Sequence, residues 1–356
     1  MKKLFIIFTL TLITTLLASC QDEVTPELQR ASNTFLYFDS SVSVSIYIPE
    51  DTESETLEDI FEGVDERLKT IHELSTRYDD VDDTVNIRTI NENPGIMHEV
   101  DPLLYEQIEM AIDYHALTNG YFDITLGPVL DLWSERMETC NEGGECVLPD
   151  DDALQKANES VGIDKITMND DTHEVSIEEG MSLDLGGIAK GFGADKVTEY
   201  LKTFDVIDSF LVNAGTSNIE VYGTHPTRES GLWNIALTDP ERPNETAGLG
   251  AVQIESGTSV VTSGDYVRYY TVDDERYHHI IDPNTLYPAD HYRSVSLIVE
   301  NGTIGDILVT AAFLMEPEVS EAFIDDLDDV EALWVMPDGS RAMTDGFEDY
   351  VFEWRD

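Results

Sequence analysis

Ser182-Leu183-Asp184-Leu185-Gly186-Gly187-Ile188-Ala189-Lys190-Gly191-Phe192-Gly193-Ala194-Asp195-Lys196 reads as a short apolar strand ending in a carboxylate, a glycine-rich turn with one lysine, and the start of an amphipathic helix. Glycines in such a turn let backbone N–H groups approach an anion with no Cβ in the way. The helix N-terminus adds oriented dipoles that favour negative charge. The same small residues also suit a tight strand-to-helix turn that serves packing alone. Spacing excludes two nucleotide-binding motifs. Lys190 precedes Gly191, whereas a P-loop lysine follows the last glycine and is followed by Ser or Thr. The glycines also miss the dinucleotide fingerprint.

Working outward, residues 166–168 and 174–177 form a hairpin pattern around Asn169-Asp170-Asp171. Downstream, Ala194, Val197, Leu201 and Phe204 share one helix face, and 210–212 is a buried strand candidate. Further strands read at 233–237, 250–254 and 294–299, and 266–270 with 276–281 brackets another hairpin turn. Residues 306–315 form a mostly apolar helix, and a last hairpin turns at Pro337-Asp338-Gly339. Toward the N-terminus, 38–48 alternates with period 2, and apolar residues from Leu57 to Leu74 recur at helical spacing. Asp101-Pro102 caps a helix that runs to about Thr118 and stops at Asn119-Gly120. Strands joined by hairpins, with a few long helices between them, predict an α+β fold of mainly antiparallel sheets with packed helices, not a doubly wound one.

The chain of 356 residues carries 73 acidic and 20 basic side chains, a formal net charge of -53. That excess excludes nucleic acid as a partner, because no basic patch is available to neutralise phosphates. It predicts a well-solvated acidic surface. Lys2 and Lys3, the apolar run 4–17 and Leu17-Ala18-Ser19-Cys20 match a bacterial lipoprotein signal. The predicted organisation is a signal peptide at 1–19, a polar tether at 20–33 from a lipidated Cys20, and one domain at 34–356. The protein is then exported and anchored to the membrane by acyl chains. Cys140 and Cys146 flank a short turn-rich segment and read as a local disulfide, with a metal pair as the alternative.

Three other constellations carry chemistry. Asp306 and Thr310, four apart on one helix face, offer two oxygens to a hard cation; a helix-dipole aspartate and a threonine bonded back to its own helix is the structural alternative. His278-His279-Ile280-Ile281-Asp282-Pro283 puts two histidines before a strand-end aspartate. Thr262-Ser263-Gly264-Asp265-Tyr266 is a polar turn without a nucleophile elbow.

Four motifs in this order resemble the ApbE family of FAD:protein FMN transferases: Asn-Gly-Tyr-Phe-Asp-Ile-Thr-Leu-Gly-Pro at 119–128, Asp-Leu-Gly-Gly-Ile-Ala-Lys-Gly at 184–191, His-Ile-Ile-Asp-Pro at 279–283, and Asp-x-x-x-Thr at 306–310. The turn at 262–266 and Leu74-Ser75-Thr76 with Tyr78 also fit. The resemblance implies an ApbE-like, T-fold-related architecture and Mg²⁺-dependent transfer of FMN from FAD to a Thr or Ser hydroxyl of a target flavoprotein, such as a membrane redox complex subunit, with AMP released. It implies a metal held by Asp306, Thr310 and backbone near Gly187. Phe38, Tyr78, Tyr121, Phe122, Asp123, Asp184, Lys190, His279 and Ile281 would line the FAD site. Asp306, Lys190 and His279 would carry the chemistry, with Asp306 as the base. A hydrolase that cuts FAD to FMN and AMP and a non-enzymatic flavin-binding lipoprotein are the alternatives. The sequence departs from the family pattern at Thr285-Leu286, where Thr-Gly is usual, at Ala214-Gly215-Thr216, where Ala-Gly-Gly is familiar, and at Arg77, inserted before Tyr78.

Overall fold

The computed structural model describes residues 27–355, apart from 216, 244, 246 and 247. The predicted signal peptide and lipidation site, Cys20 included, lie outside the described residues, as does Thr216. The described chain opens with a hairpin, β1 (Leu28–Tyr37) and β2 (Ser40–Pro49), and the long helix α1 (Ser54–Ser75). Helix α2 (Ile87–Glu92) and the short strand β3 (His98–Glu99) lead to α3 (Pro102–Leu117), α4 (Gly127–Asn141) and α5 (Asp151–Asn158). Strands β4 (Ile166–Asn169) and β5 (Glu174–Ile177) precede helix α6 (Ala189–Leu201). Then come β6 (Ser209–Ala214), β7 (Asn218–Tyr222), β8 (Trp233–Leu237), β9 (Gly250–Ile254), β10 (Ser259–Gly264), β11 (Tyr269–Val272), β12 (Glu275–His278) and β13 (Ser294–Val299). Helices α7 (Gly302–Leu314) and α8 (Pro317–Asp325) and strands β14 (Glu331–Val335), β15 (Arg341–Met343) and β16 (Val351–Trp354) complete the order.

Eight strands form the main sheet in the order β1-β2-β6-β7-β10-β13-β14-β15, every adjacent pair antiparallel. One face is covered by α1, α6 and α7: Leu68, Val197 and Phe210 share one core cluster, and Val295, Leu308 and Phe313 another. The other face is covered by the small sheet β16-β9-β8, through Trp233, Val252, Val260 and Ile298. All six residues of β13 are therefore buried, although one face of an antiparallel sheet commonly meets water. The architecture is α+β with antiparallel sheets, as the hairpin spacing predicts.

Three expectations need correction. The alternating segment at 38–48 forms one strand from Ser40 onward, but its first two residues, Phe38 and Asp39, form a tight turn with φ of 55° and 53°. Paired positive φ values suit the right-handed twist of a hairpin, and β1 precedes the turn. That strand starts at Leu28, so the predicted tether up to residue 33 overlaps it. Residues 182–185 belong to no ladder. The Asn91 side chain instead accepts from the Leu183 N–H at 2.7 Å and donates to the Leu183 carbonyl at 2.9 Å. Cys140 and Cys146 are joined in a disulfide that closes the end of α4, which sets the metal-pair alternative aside.

Candidate active site

The glycine stretch packs where α6 meets α7. A Cβ on Gly191 would collide with the Gly302 carbonyl, so glycine lets the first turns of the two helices touch. That contact brings the Gly191 N–H to 2.6 Å from Asp306 Oδ2, the carboxylate accepting. Asp306 is 5% exposed, and burial pushes its pKa up to about 6 in spite of the opposing charge of Lys190 and the Gly191 hydrogen bond. Lys190, one residue before Gly191, donates to Ser217 Oγ at 2.7 Å, in the β6–β7 connection. Burial lowers its pKa, and Asp306 partly restores it.

One turn further along α7, Thr310 Oγ1 donates to the Asp306 carbonyl at 2.9 Å, the back-bond of the structural alternative. That bond uses the hydroxyl proton and leaves the oxygen's lone pairs available. Gly187 sits beside it: a Cβ there would lie 3.7 Å from Thr310 Oγ1 and 2.9 Å from the Phe122 ring. Asp306, Thr310 and Gly187 thus converge as a carboxylate, a hydroxyl and peptide backbone. Among the described residues no group of three or more His, Cys, Asp and Glu side chains is arranged for a metal. An all-oxygen set with one carboxylate nevertheless fits a hard divalent cation that keeps water and phosphate oxygens in its shell. The elevated pKa of Asp306 agrees, because it marks a buried carboxylate short of positive charge.

His279 follows β12. Its N–H donates to the Arg268 carbonyl at 3.2 Å, and its Nδ1 lies 3.2 Å from the same oxygen. A carbonyl only accepts, so this contact puts a proton on Nδ1 and leaves Nε2 with a free lone pair. The ring keeps some solvent contact, yet protein atoms crowd it closely. Burial, then the charge of Arg268, holds its pKa well below the usual histidine value. Ile281, by contrast, is core: it packs with Trp133, Tyr270 and Leu286, and Trp133 Nε1 donates to the Leu286 carbonyl at 2.8 Å. Leu286 takes φ +64°, so the turn that departs from Thr-Gly has the left-handed backbone that glycine adopts freely.

The Phe-Asp hook shapes the wall opposite. Phe122 is 4% exposed beside Gly187, its N–H bound to Thr118 Oγ1 and its carbonyl facing His115 Nδ1. Asp123 accepts from the Thr125 N–H at 2.7 Å and from Thr125 Oγ1 at 2.6 Å. Tyr121 is half-buried and bridges two core clusters. Asp184 is tied on both oxygens, to the Gly186 N–H at 2.7 Å and to Arg77 Nη1 at 3.0 Å. The inserted Arg77 is itself buried, donating also to Asp131 and Ser182, while Tyr78 is 62% exposed. Phe38 lies elsewhere in character, its ring edge-on to His72 and against Gly193, which is a packing contact.

Sequence reading missed Arg77, Ser217 and Arg268. Each acts through a contact that spans 11 to 107 residues, so no local pattern announces it.

The sequence profile of the ApbE family matches residues 38–334. A protein of Treponema pallidum named FAD:protein FMN transferase is 34% identical over 265 residues, covering 71% of this chain and 70% of that one. A Klebsiella pneumoniae protein of the same name is 32% identical over 281 residues, covering 76% of this chain and 83% of that one. The crystal structure of an ApbE protein from Thermotoga maritima superposes with a TM-score of 0.77 at 29% identity, covering 91% of this chain and all of that one. The Pseudomonas stutzeri flavinyl transferase ApbE, at 24% identity and a TM-score of 0.74, shares the fold. The profile match spans most of the chain, and the chain belongs to the ApbE family.

Proposed function

We propose that this chain transfers FMN from FAD to a hydroxyl oxygen of a target protein and releases AMP. The observation that carries the reading is the convergence of Asp306, the Gly191 N–H, Lys190 and Thr310 beside the Phe122 wall. Family membership and the names of the relatives support it.

In the proposed reaction a Thr or Ser hydroxyl of the target attacks the FMN phosphorus. A new phosphoester P–O bond forms, the P–O bond to AMP breaks, and the hydroxyl proton leaves to a base. His279 suits that role better than Asp306, because its neutral ring leaves Nε2 free, whereas the Asp306 carboxylate is committed to Gly191 and faces Lys190. Lys190 supplies fixed positive charge from a buried position, where a charge acts more strongly than in water. Phe122 presents an apolar wall for an aromatic ring. A Mg²⁺ ion held by Asp306, Thr310 and the Gly187 backbone would neutralise charge on the non-bridging oxygens.

The lipoprotein signal supports an exported, membrane-anchored enzyme whose target is a flavoprotein subunit of a membrane redox complex. No described helix is long and apolar enough to cross a membrane, so anchoring in this proposal rests on Cys20. Incubation with FAD, Mg²⁺ and a candidate acceptor should add one FMN to the acceptor by mass spectrometry. FMN and AMP released with no adduct would assign a hydrolase instead, and retention of intact FAD would assign a binder.

A further inference from the structure

Arg268 lies between β10 and β11, an exposed side chain flanked by exposed Val267 and Tyr269. Its backbone is fixed, because its carbonyl holds both the N–H and the Nδ1 side of His279. Its guanidinium has no ion pair among the described residues, in a chain where acids outnumber bases by 73 to 20. The contrast with its neighbours is direct. Asp265, three residues earlier, is taken by Arg276 at 3.1 Å and Arg293 at 2.8 Å, while Arg77 and Arg88 each hold a carboxylate. The Arg268 charge still reaches the site: burial depresses the proton affinity of Lys190 and His279, and Arg268 depresses both further. Exposed Tyr78 feels it as well. Asp306 offsets Lys190 from the buried side, whereas no carboxylate is paired with Arg268 on the solvent side, so a bound anion of high charge density would be held between the two cations.

We infer that Arg268 is a phosphate-binding residue at the mouth of the site, whose guanidinium takes the pyrophosphate of the dinucleotide substrate from the solvent side. A planar fork of N–H donors matches two phosphate oxygens at once. Charge supplied there would act on the oxygens that become more negative as AMP departs. The inference rests on the flavin-transfer reading for its substrate.

The test is flavin titration of the full chain and its Arg268→Gln and Arg268→Lys variants, with FAD and with riboflavin, which lacks phosphate. Either substitution keeps the backbone carbonyl that holds His279, and an exposed side chain makes folding robust, to be checked by thermal melting. Arg268→Gln should weaken FAD roughly 10- to 100-fold, the range for a lost charged hydrogen bond, and leave riboflavin unchanged. Arg268→Lys should recover part of the loss, and the salt dependence of FAD affinity should shrink in Arg268→Gln. Equal FAD affinity in wild type and Arg268→Gln, or equal weakening of FAD and riboflavin, overturns the assignment. Wild-type protein that binds FAD but transfers no FMN overturns the transferase reading alone, and wild-type protein that binds no FAD overturns both.

Discussion

The Gly191 N–H and the Asp306 carboxylate, 115 residues apart in sequence, meet at 2.6 Å in the interface between α6 and α7. Asp306→Asn keeps the shape of the side chain but removes its negative charge. FMN transfer should fall by about 100-fold or more, the range seen when a preorganised electrostatic group is lost. FAD affinity should fall much less, which single-turnover and binding measurements would separate.

The same carboxylate sets a pH limb. Its folded pKa of about 6 lies above the usual 3.8. The folded state therefore holds its proton more tightly than the unfolded chain, and its contribution to stability declines as pH rises from 3.8 to about 6. Activity should move the opposite way, rising as Asp306 ionises, and a divalent cation at the carboxylate should carry that limb below the metal-free value of about 6. The limb belongs to Asp306, so it should survive His279→Gln in whatever activity is left. A rate limb that does not shift with Mg²⁺ concentration would show that Asp306 ionisation does not set it.

Gly191→Ala forces a methyl group against the Gly302 backbone. Neither helix start has a flexible side chain to give way at that point. A loss of about 1–3 kcal/mol is expected from overpacking, read from the midpoint of urea unfolding.

Arg77→Met leaves Asp184 without its guanidinium and releases Asp131 on α4. Stability should drop by about 1.5–3 kcal/mol, the range for a hydrogen bond to a charged group. Asp184→Asn in the same chain should recover part of the loss, because the unpaired buried charge goes with it. A double-mutant cycle with zero coupling energy would separate the two residues.

Replacing both Cys140 and Cys146 by Ser opens a loop of sequence separation 6. Chain-entropy arguments give about 2 kcal/mol for so short a loop. The damage should stay at the end of α4, and FAD affinity should be unchanged by titration.

Much of this arrangement was legible in the chain itself, and the exceptions share a cause. Strands β8, β9 and β13 are apolar enough to declare themselves, and the predicted bounds match the ladders. Strand β1 did not, since it is an edge strand whose Arg30, Ser32 and Thr34 give it a polar look. The segment 182–185 imitates a strand because it is apolar and extended, yet it joins no ladder: Leu183 is held by the side chain of Asn91, and the Asp184 N–H donates to the Ile124 carbonyl. At the site, the motif residues Asp306, Thr310 and Gly187 do come together. Asp184 has both oxygens bonded, to Arg77 and Gly186, whereas Asp123 binds Thr125 through Oδ1 alone and keeps Oδ2 clear of a close hydrogen bond. Such tertiary partners leave no local trace, so spacing alone misses them.

Leu286 combines a left-handed backbone with a buried side chain. A leucine held left-handed carries roughly 1–2 kcal/mol of strain. Its side chain is 2% exposed, and burying a leucine yields about 1.5–3 kcal/mol. The two terms nearly offset each other, so at this turn side-chain burial replaces backbone freedom. Reversion to glycine would remove the strain and open a hole beside Trp133 and Ile281, giving no net gain. The turn is thus held by its own core, and the segment that carries His279 ends beside a hydrophobic anchor.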